Sequence, residues 1–547
     1  MTDALRESLD DLLDGSYDCV DRIVLNAYNP WCASPGGFRE FWRRLDGSDE
    51  HLDNAHLMRM AGRFSRRVRG AAKARGIPVI DCRRKEKKYQ LAEDYLARHT
   101  VNRGVFLILV ARAVAPIWEV ARSARGVIHH LTKKLAYVNY YSFHIMDPEW
   151  GHIVIKMASH PPFGAQIILN GHEYVARQAF KAHMAFRKEG NCFTHLNHPA
   201  DLALVADTLS DPETVGRLSQ VADQWIYSAC LCFALGFAEQ ERTSFTYQYS
   251  VYQLEYSRNL LFQAGSQMEE VFQKLVDRTR ARLHVPELRP LFGTRARPRA
   301  TPKQPSPTLA VAVEITSYDR TLFKVQFGKL DVKAYTKGER VLRFEAVVHN
   351  TNALNCGRRL LRFPLLVARL KAMIERFLTM LDCVDRAFVS DSTLDQLPLP
   401  SRVGKTRVGG VDPNKPRMRA ALTAAVALAA VPDGFTVTDF ATRVRALTGQ
   451  PPASYGVRQA AYDLKKLRGK QLVVRCAGSH HYSASPEGLR AMTALVVLRD
   501  HVISPLLAGV RTPRMGRKPA TWTRIDRHYE TLRLDMRALF RDLGVAA

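Results

Sequence analysis

Two linkers limit how this chain can fold. Residues 289–308 run Arg-Pro-Leu-Phe-Gly-Thr-Arg-Ala-Arg-Pro-Arg and onward, basic and proline-rich, and Leu397–Pro416 carries four prolines and three glycines. Proline offers no amide hydrogen and fixes its own φ, so neither stretch belongs inside a helix or a ladder. A chain of 547 residues also exceeds one core, because domains run to roughly 100–200 residues. The breaks give a multidomain α+β reading: a helical segment over 1–100 with a basic second half, an α+β unit over 101–288, a β-meander plus helix over 309–396 able to pack with it, a helical unit over 417–508, and a basic tail with a terminal helix over 509–547.

Lys and Arg number 80 against 53 Asp and Glu, a formal net charge of +27. Such an excess repels itself unless a polyanion neutralises it, and nucleic acid is the usual one. A membrane surface is the competitor. The longest apolar runs, Val105–Ala115 and Ala420–Val431, fall short of the roughly 20 residues that span a bilayer. The opening Met1-Thr2-Asp3-Ala4 has no basic leader pattern, and nine cysteines without a framework suit reduced thiols. The expectation is a soluble, cytoplasmic protein with no membrane partner.

Leu5, Leu9, Leu12 and Leu13 share one helical stripe, and the sign of charge then reverses. Arg63, Arg66, Arg67, Arg69, Lys73 and Arg75 follow, then Arg83, Arg84, Lys85, Lys87 and Lys88, with only Asp81 and Glu86 between. Arg66 and Arg67 are candidate phosphate contacts, although a solvated helix face would read the same. Strands are expected at Val105–Val110, Ile117–Val120, Tyr137–Ile145, His152–Met157 and Ala165–Leu169. A helix should follow over Glu173–Arg187, and residues 198–240 read as mostly helical. Tyr247, Tyr249, Tyr252 and Tyr256 precede a helix expected near Asn259. Ala310–Thr316, Leu322–Phe327, Lys329–Tyr335 and Val341–His349 make the meander, closed by the helix Phe363–Leu381.

The order of elements is clearest after residue 416. A helix over Arg417–Ala430 is followed by one capped at Thr436, running to Leu447 and ended by Gly449. A third spans Tyr455–Leu467, and a hairpin follows with Gly478-Ser479-His480-His481 at its tip. Three helices and a basic-tipped hairpin are the order of a winged helix-turn-helix. Val457, Ala460, Ala461 and Leu464 read as the inward stripe of the third helix. Arg458, Gln459, Tyr462 and Lys465 then face out for base edges in a major groove. Lys466, Arg468 and Lys470 suit phosphates, and His480 and His481 an adjacent groove. Such modules also serve protein contacts.

Enzyme signatures are sparse. No His-Glu-x-x-His or Cys-x-x-Cys pair occurs, and Gly404-Lys405-Thr406 lacks the earlier glycine of a phosphate loop, Leu399 standing there. Cys192, His195 and His198, with His172 and His183 nearby, lack a second thiolate for zinc. Asp147-Pro148-Glu149 offers two carboxylates for a divalent metal, magnesium or manganese, and is equally good turn chemistry. Asn170-Gly171-His172-Glu173 starts a helix, where an anion could sit. Lys333, Tyr335 and Lys337 alternate onto one face of a strand, and Arg343 and Glu345 share a face of its partner. A tyrosine between lysines suits base stacking or attack on a phosphodiester; cross-strand ion pairing is the plainer account. No resident cofactor is evident.

The Lys333–Glu345 segment and the strand Tyr252–Asn259 resemble segments of filamentous-phage and plasmid rolling-circle replication initiators. Those proteins hold a metal with two histidines separated by one apolar residue, a pair this chain lacks. Over its length the chain is more similar to a set of bacterial proteins sharing Asp-x-Glu-Trp-Gly, Asn-Gly-His-Glu-Tyr and Tyr-x-Lys-Gly, here Asp147–Gly151, Asn170–Tyr174 and Tyr335–Gly338. The net charge and the C-terminal helix order, with the local resemblance to replication initiators beside them, give the expectation of DNA binding of mobile-element or replication type. Any cleavage would use Asp147, Glu149, Glu255 and Glu345 as metal ligands and Tyr335 as nucleophile. Phosphate contacts would come from Lys333, Lys337 and Arg343. A non-catalytic regulator is the alternative. An RNA-binding factor is another, with Tyr137, Tyr140, Tyr141 and Phe143 as a stacking platform unless they are core.

Overall fold

The computed structural model describes residues 9–83, 86–123, 127–282, 308–310, 315–316, 319–327, 329–354, 356–385, 396–429, 434–476, 478–497 and 523–542. Most of the 289–308 linker and the tail residues Arg511, Arg514, Arg517 and Lys518 lie outside them. The chain is mixed α+β and divides into two compact units, one of Ser8–Phe272 with Pro305–Ile374, the other chiefly Glu375–Ala547. Among the described residues no single helix is long and apolar enough to cross a membrane.

The first unit is built on one sheet of twelve strands. Its path is β10 (Thr308–Ala310), β12 (Asp319–Phe327), β13 (Leu330–Lys337), β14 (Val341–Val348), β9 (Gln248–Phe262), β1 (Leu13–Tyr28), β6 (Ala165–Asn170), β5 (Gly151–Ala158), β4 (Ile128–Asp147), β3 (Gly104–Arg122) and β2 (Val79–Asp81), with β11 (Ile315–Thr316) on β12. Every pairing is antiparallel except that of β2 with β3. The meander is therefore not a separate domain. β14 pairs with β9 along its length, Val341 opposite Leu261 through Val348 opposite Leu254.

Alternation sets the two faces. On β5 and β6 the odd positions Ile153, Ile155, Met157, Ala165, Ile167 and Leu169 are buried, while the even ones are mostly half-buried. The apolar face continues through Tyr141 and Phe143 on β4. Phe64 of the helix Asn54–Ala74 meets Tyr141 edge-on at 5.0 Å, and Phe233 stacks on Phe143 at 5.9 Å. Burying such rings stabilises the layer by about 1.5–3 kcal/mol each. Tyr141 and Phe143 are thus core, so the four aromatics do not make a stacking platform; Tyr137 alone of them is strongly exposed.

Two expectations change here. Leu13–Tyr28 is a strand in the middle of the sheet, not part of a helical segment. Residues 259–262 prolong β9, and the next helix begins at Gly265. In both places the apolar residues are buried because strands flank them on either side, a condition that local periodicity does not report.

In the second unit the helices Pro416–Leu428, Val437–Thr448 and Val457–Gly469 enclose a core of Met418, Leu422, Phe440, Val444, Tyr455, Leu464 and Leu467. Thr436 and Asp439 cap each other's backbone amides at 3.2 and 3.0 Å, and Gly449 closes the same helix at φ 67°. The hairpin Val473–Arg475 with Tyr482–Ala484 follows, and Phe435 pairs with Tyr482 to fix its base. Residues 397–416 are more than a linker. Ser401–Val403 and Thr406–Val408 form a small hairpin around Gly404, and the helix Val457–Gly469 packs on it.

Candidate functional site

Strand register assembles a polar cluster on the less apolar face of the sheet. Tyr335, Arg343, Asn259 and Tyr17 stand in one row across β13, β14, β9 and β1; Lys333, Glu345, Ser257 and Cys19 form the next. Residues two apart on a strand share a face, so both rows point the same way. The helix Gly171–Lys181 and the hairpin of β7 (Phe186–Glu189) and β8 (Cys192–Leu196) bring His172, Asn191 and Cys192 against it.

Arg343 is fully buried. One guanidinium nitrogen pairs closely with Asp21 and lies 3.7 Å from Glu345, and another donates to the Asn191 carbonyl at 2.7 Å. Lys333 reaches Glu345 at 3.2 Å, the Tyr335 hydroxyl donates to Glu345 at 3.4 Å, and Lys337 donates to Asn191 Oδ1 at 2.5 Å. On the other side of Asp21, His172 Nδ1 lies 2.5 Å away and the Ser257 hydroxyl donates at 3.3 Å. Tyr17 OH lies 3.4 Å from His172 Nε2, accepts from Phe193 N at 2.9 Å and faces the Cys192 thiol at 3.8 Å.

Charge balance explains the titration. Burial pushes the Asp21 carboxyl up, but Arg343 and His172 together outweigh it and hold it well below the usual range. Burial lowers His172, with Asp21 opposing. Two cations, Arg343 and Lys333, answer Asp21 and Glu345. Glu255, the third carboxyl, makes no salt bridge among the described residues and accepts from Gln253 Nε2 at 2.8 Å; burial, then Glu345 and Asp21, push it up to about 7, with Arg22 opposing. A carboxyl poised near neutrality is a candidate acid–base group.

Cys19, Asp21 and His172 place one ligand atom each within 4.8 Å of one another, all buried, so the group could hold a metal ion. It is the one such group found among the described residues, and it excludes Cys192, His195 and His198. His195 bonds Thr194.

The other expected site residues scatter. Asp147 is committed to structure: one carboxylate oxygen accepts from the amides of Glu149 and Trp150, both at 2.8 Å, and the other from Trp225 Nε1 at 2.8 Å. Glu149 lies outside, 3.6 Å from Lys181. Asp147 is four strands from Glu255, roughly 19 Å at the usual strand spacing. The Asp-Pro-Glu segment therefore works as turn chemistry. Arg343 is corrected from phosphate contact to internal counter-ion, since no phosphate reaches a side chain with no exposed surface. Arg66 and Arg67 are exposed on the helix Asn54–Ala74, where Arg67 lies 3.9 Å from Glu239.

The second unit presents a basic surface. Arg417, Arg458, Gln459, Ala461, Tyr462 and Lys465 line an open depression of about 550 Å³ along the helix Val457–Gly469. The helix phase differs from expectation by one position. Ala460, Asp463, Leu464 and Leu467 face in, whereas Val457 and Ala461 are exposed. Asp463 can be buried because Arg417 donates to both its oxygens at 2.8 and 3.1 Å and Tyr455 OH at 3.0 Å. Gln459 is partly spent, its Oε1 accepting from Gly456 N at 3.1 Å. Lys466 lies over the Tyr462 ring at 5.1 Å and Arg468 over Tyr482 at 5.9 Å. Lys470 is tied to the Gln396 carbonyl at 2.5 Å. His480 sits beside Arg475 at 3.2 Å and His481 beside Ser479 at 3.2 Å, both at the hairpin tip.

Sequence reasoning missed Tyr17, Cys19, Asp21, Asn191, Arg417 and Asp463. Only the alternation of Tyr17, Cys19 and Asp21 carried any signal.

The molecule is thus a mixed α+β chain with a buried ionic cluster on its large sheet and a basic helix face in a separate helical unit. No protein-family model matches it, and neither does any curated protein or solved structure.

Proposed function

We propose that the chain is a DNA-binding protein of the replication or mobile-element type, its second unit a winged helix-turn-helix that selects the site. The exposed face of the helix Val457–Gly469 carries the proposal. Arg458 and Lys465 flank Tyr462 along the open depression, and the only carboxylate of that helix, Asp463, is buried and neutralised by Arg417. A helix that hides its acid and displays its bases is matched to a polyanion. Arg458, free at the start of the helix, is the base-reading residue, and Lys466 and Arg468 take backbone phosphates.

Binding titrations of the full chain on selected and random duplexes test this. Arg458→Ala should cost about 1–3 kcal/mol on the selected site and relax its preference. Lys466→Ala should weaken both duplexes alike and flatten the salt slope by about one unit. Identical behaviour of the two variants on both duplexes would remove sequence reading from this helix and leave a protein-contact module.

A second reading, phosphodiester cleavage on the sheet, is favoured by the convergence of Tyr335, Glu345, Lys333 and Glu255. Tyr335 hydrogen-bonds Glu345, the arrangement that activates a weak nucleophile. Glu255 and Glu345 are hard oxygen donors of the kind magnesium or manganese takes in such chemistry. A metal-supplemented nicking assay on supercoiled and single-stranded DNA tests it; no product with either ion leaves the regulator reading.

A further inference from the structure

We propose that Cys19, Asp21 and His172 bind one zinc-class transition-metal ion that staples the start of the helix Gly171–Lys181 to β1. This rests on the geometry of the sheet unit alone and is independent of DNA binding. The donors are a thiolate sulfur, an imidazole nitrogen and a carboxylate oxygen. Magnesium and manganese avoid thiolate, whereas zinc accepts all three.

Two features of the fold bring the donors together. Cys19 and Asp21, two apart on a strand, lie on one face. His172 is pressed onto them because the helix begins in direct contact with β1. A Cβ at Gly171 would stand 1.8 Å from the Val20 carbonyl oxygen, so only glycine permits the approach.

The second observation is an orphaned nitrogen. His172 is wholly buried and its Nδ1 makes no hydrogen bond, although Asp21 Oδ1 is 2.5 Å away. The other ring nitrogen faces Tyr17 OH. With that nitrogen outside hydrogen-bond geometry towards the carboxylate, a cation held between the two would satisfy both in a dry interior. Opening the pair by less than an ångström seats an ion at about 2.0–2.2 Å from each donor.

The surroundings already suit ligands. His172 Nε2 faces a hydroxyl fixed by the Phe193 amide, and the second oxygen of Asp21 is held by Arg343, itself anchored on the Asn191 carbonyl. Such outer contacts orient ligands and set the imidazole tautomer. Ser257 Oγ, 3.3 Å from Asp21 Oδ1, borders the remaining position. All three donor residues are at most 1% exposed, so the site is closed and structural.

The test uses the full chain, dialysed against zinc and then metal-free buffer. Metal analysis should give one zinc per chain. X-ray absorption should show one sulfur at about 2.3 Å and the remaining donors at about 2.0–2.1 Å. Cobalt in its place should give a sulfur charge-transfer band that Cys19→Ser abolishes. Chelation should speed hydrogen exchange in the helix Gly171–Lys181. Less than stoichiometric zinc, no sulfur, two or more sulfurs, or a band that survives Cys19→Ser overturns the site. Exchange unchanged by chelation overturns the staple. If Cys19→Ser does not fold, the absorption spectrum of the unaltered chain decides, because it counts sulfur directly.

Discussion

Replacing Arg417 by Met tests how the helix Val457–Gly469 is held in place. Asp463 is 1% exposed and accepts two charge-assisted bonds from Arg417 and one from Tyr455. Removing one partner of a buried pair costs about 3–5 kcal/mol because the other charge is left dry. The Arg417 side chain is 43% exposed, so water can enter as it leaves, and the Tyr455 bond remains. The expected loss is therefore smaller, about 2–3 kcal/mol. Asp463→Asn should cost only about 1–2 kcal/mol, because the freed Arg417 hydrates itself. The double variant should fall short of the sum by about 1–2 kcal/mol, the coupling of the pair. Hydrogen exchange of the 457–469 amides in the full chain reads these values locally. A loss below about 0.5 kcal/mol for Arg417→Met, or strict additivity, would refute the argument that this ion pair permits an acid on the inward face.

Other outcomes follow from the sheet unit. Burial, then His152, Lys156 and Lys88, hold His144 at about 3, well below the ordinary value of about 6.5. The unfolded chain binds the proton first, so stability is complete above about pH 6.5 and falls by up to about 1.4 kcal/mol per unit as pH drops towards 3. His144→Gln should flatten that limb of the urea-midpoint profile; an unchanged profile would be the contrary result. Gly171→Ala should destabilise the unit by about 3 kcal/mol, read from the same midpoint, since the clash is with backbone. Tyr335→Phe and Glu345→Gln should each lower any nicking rate by about a hundredfold or more while DNA binding persists. Cleavage by both variants at the parent rate would exclude them.

What the sequence showed and hid has a common physical cause. In the second unit, Thr436, Asp439 and Gly449 carry their own instructions, because caps act within a few residues. The phase of the third helix was misjudged by one position because Asp463 faces in, which depends on Arg417, 46 residues away. The same holds for β1. Of the leucines that suggest a helix, Leu5 lies outside the described residues and Leu9 and Leu12 do lie in helical turns, whereas Leu13 opens a strand that exists because β6 and β9 flank it. The cluster around Asp21 draws on His172 and Arg343, residues that no spacing rule connects. Lys333, Tyr335 and Glu345 are legible because adjacent strands preserve alternation, which one segment of sequence records, whereas nothing in that segment connects them to Glu255 on β9.

The interleaving of β14 with β9 has a consequence for synthesis. β9 leaves the ribosome with one side paired to β1, and its other side has no mate until the chain has passed through the 289–308 linker and on to Val348. At usual elongation rates that interval is on the order of ten seconds. Throughout it the nascent protein offers a long open edge carrying Leu254, Leu260, Leu261 and Phe262, the kind of edge on which chains aggregate. A truncation at the linker, which looks like a natural end from composition, makes that interval permanent. Cutting there yields half a sheet with an adhesive margin, and a soluble piece has to extend through the helix that begins at Phe363.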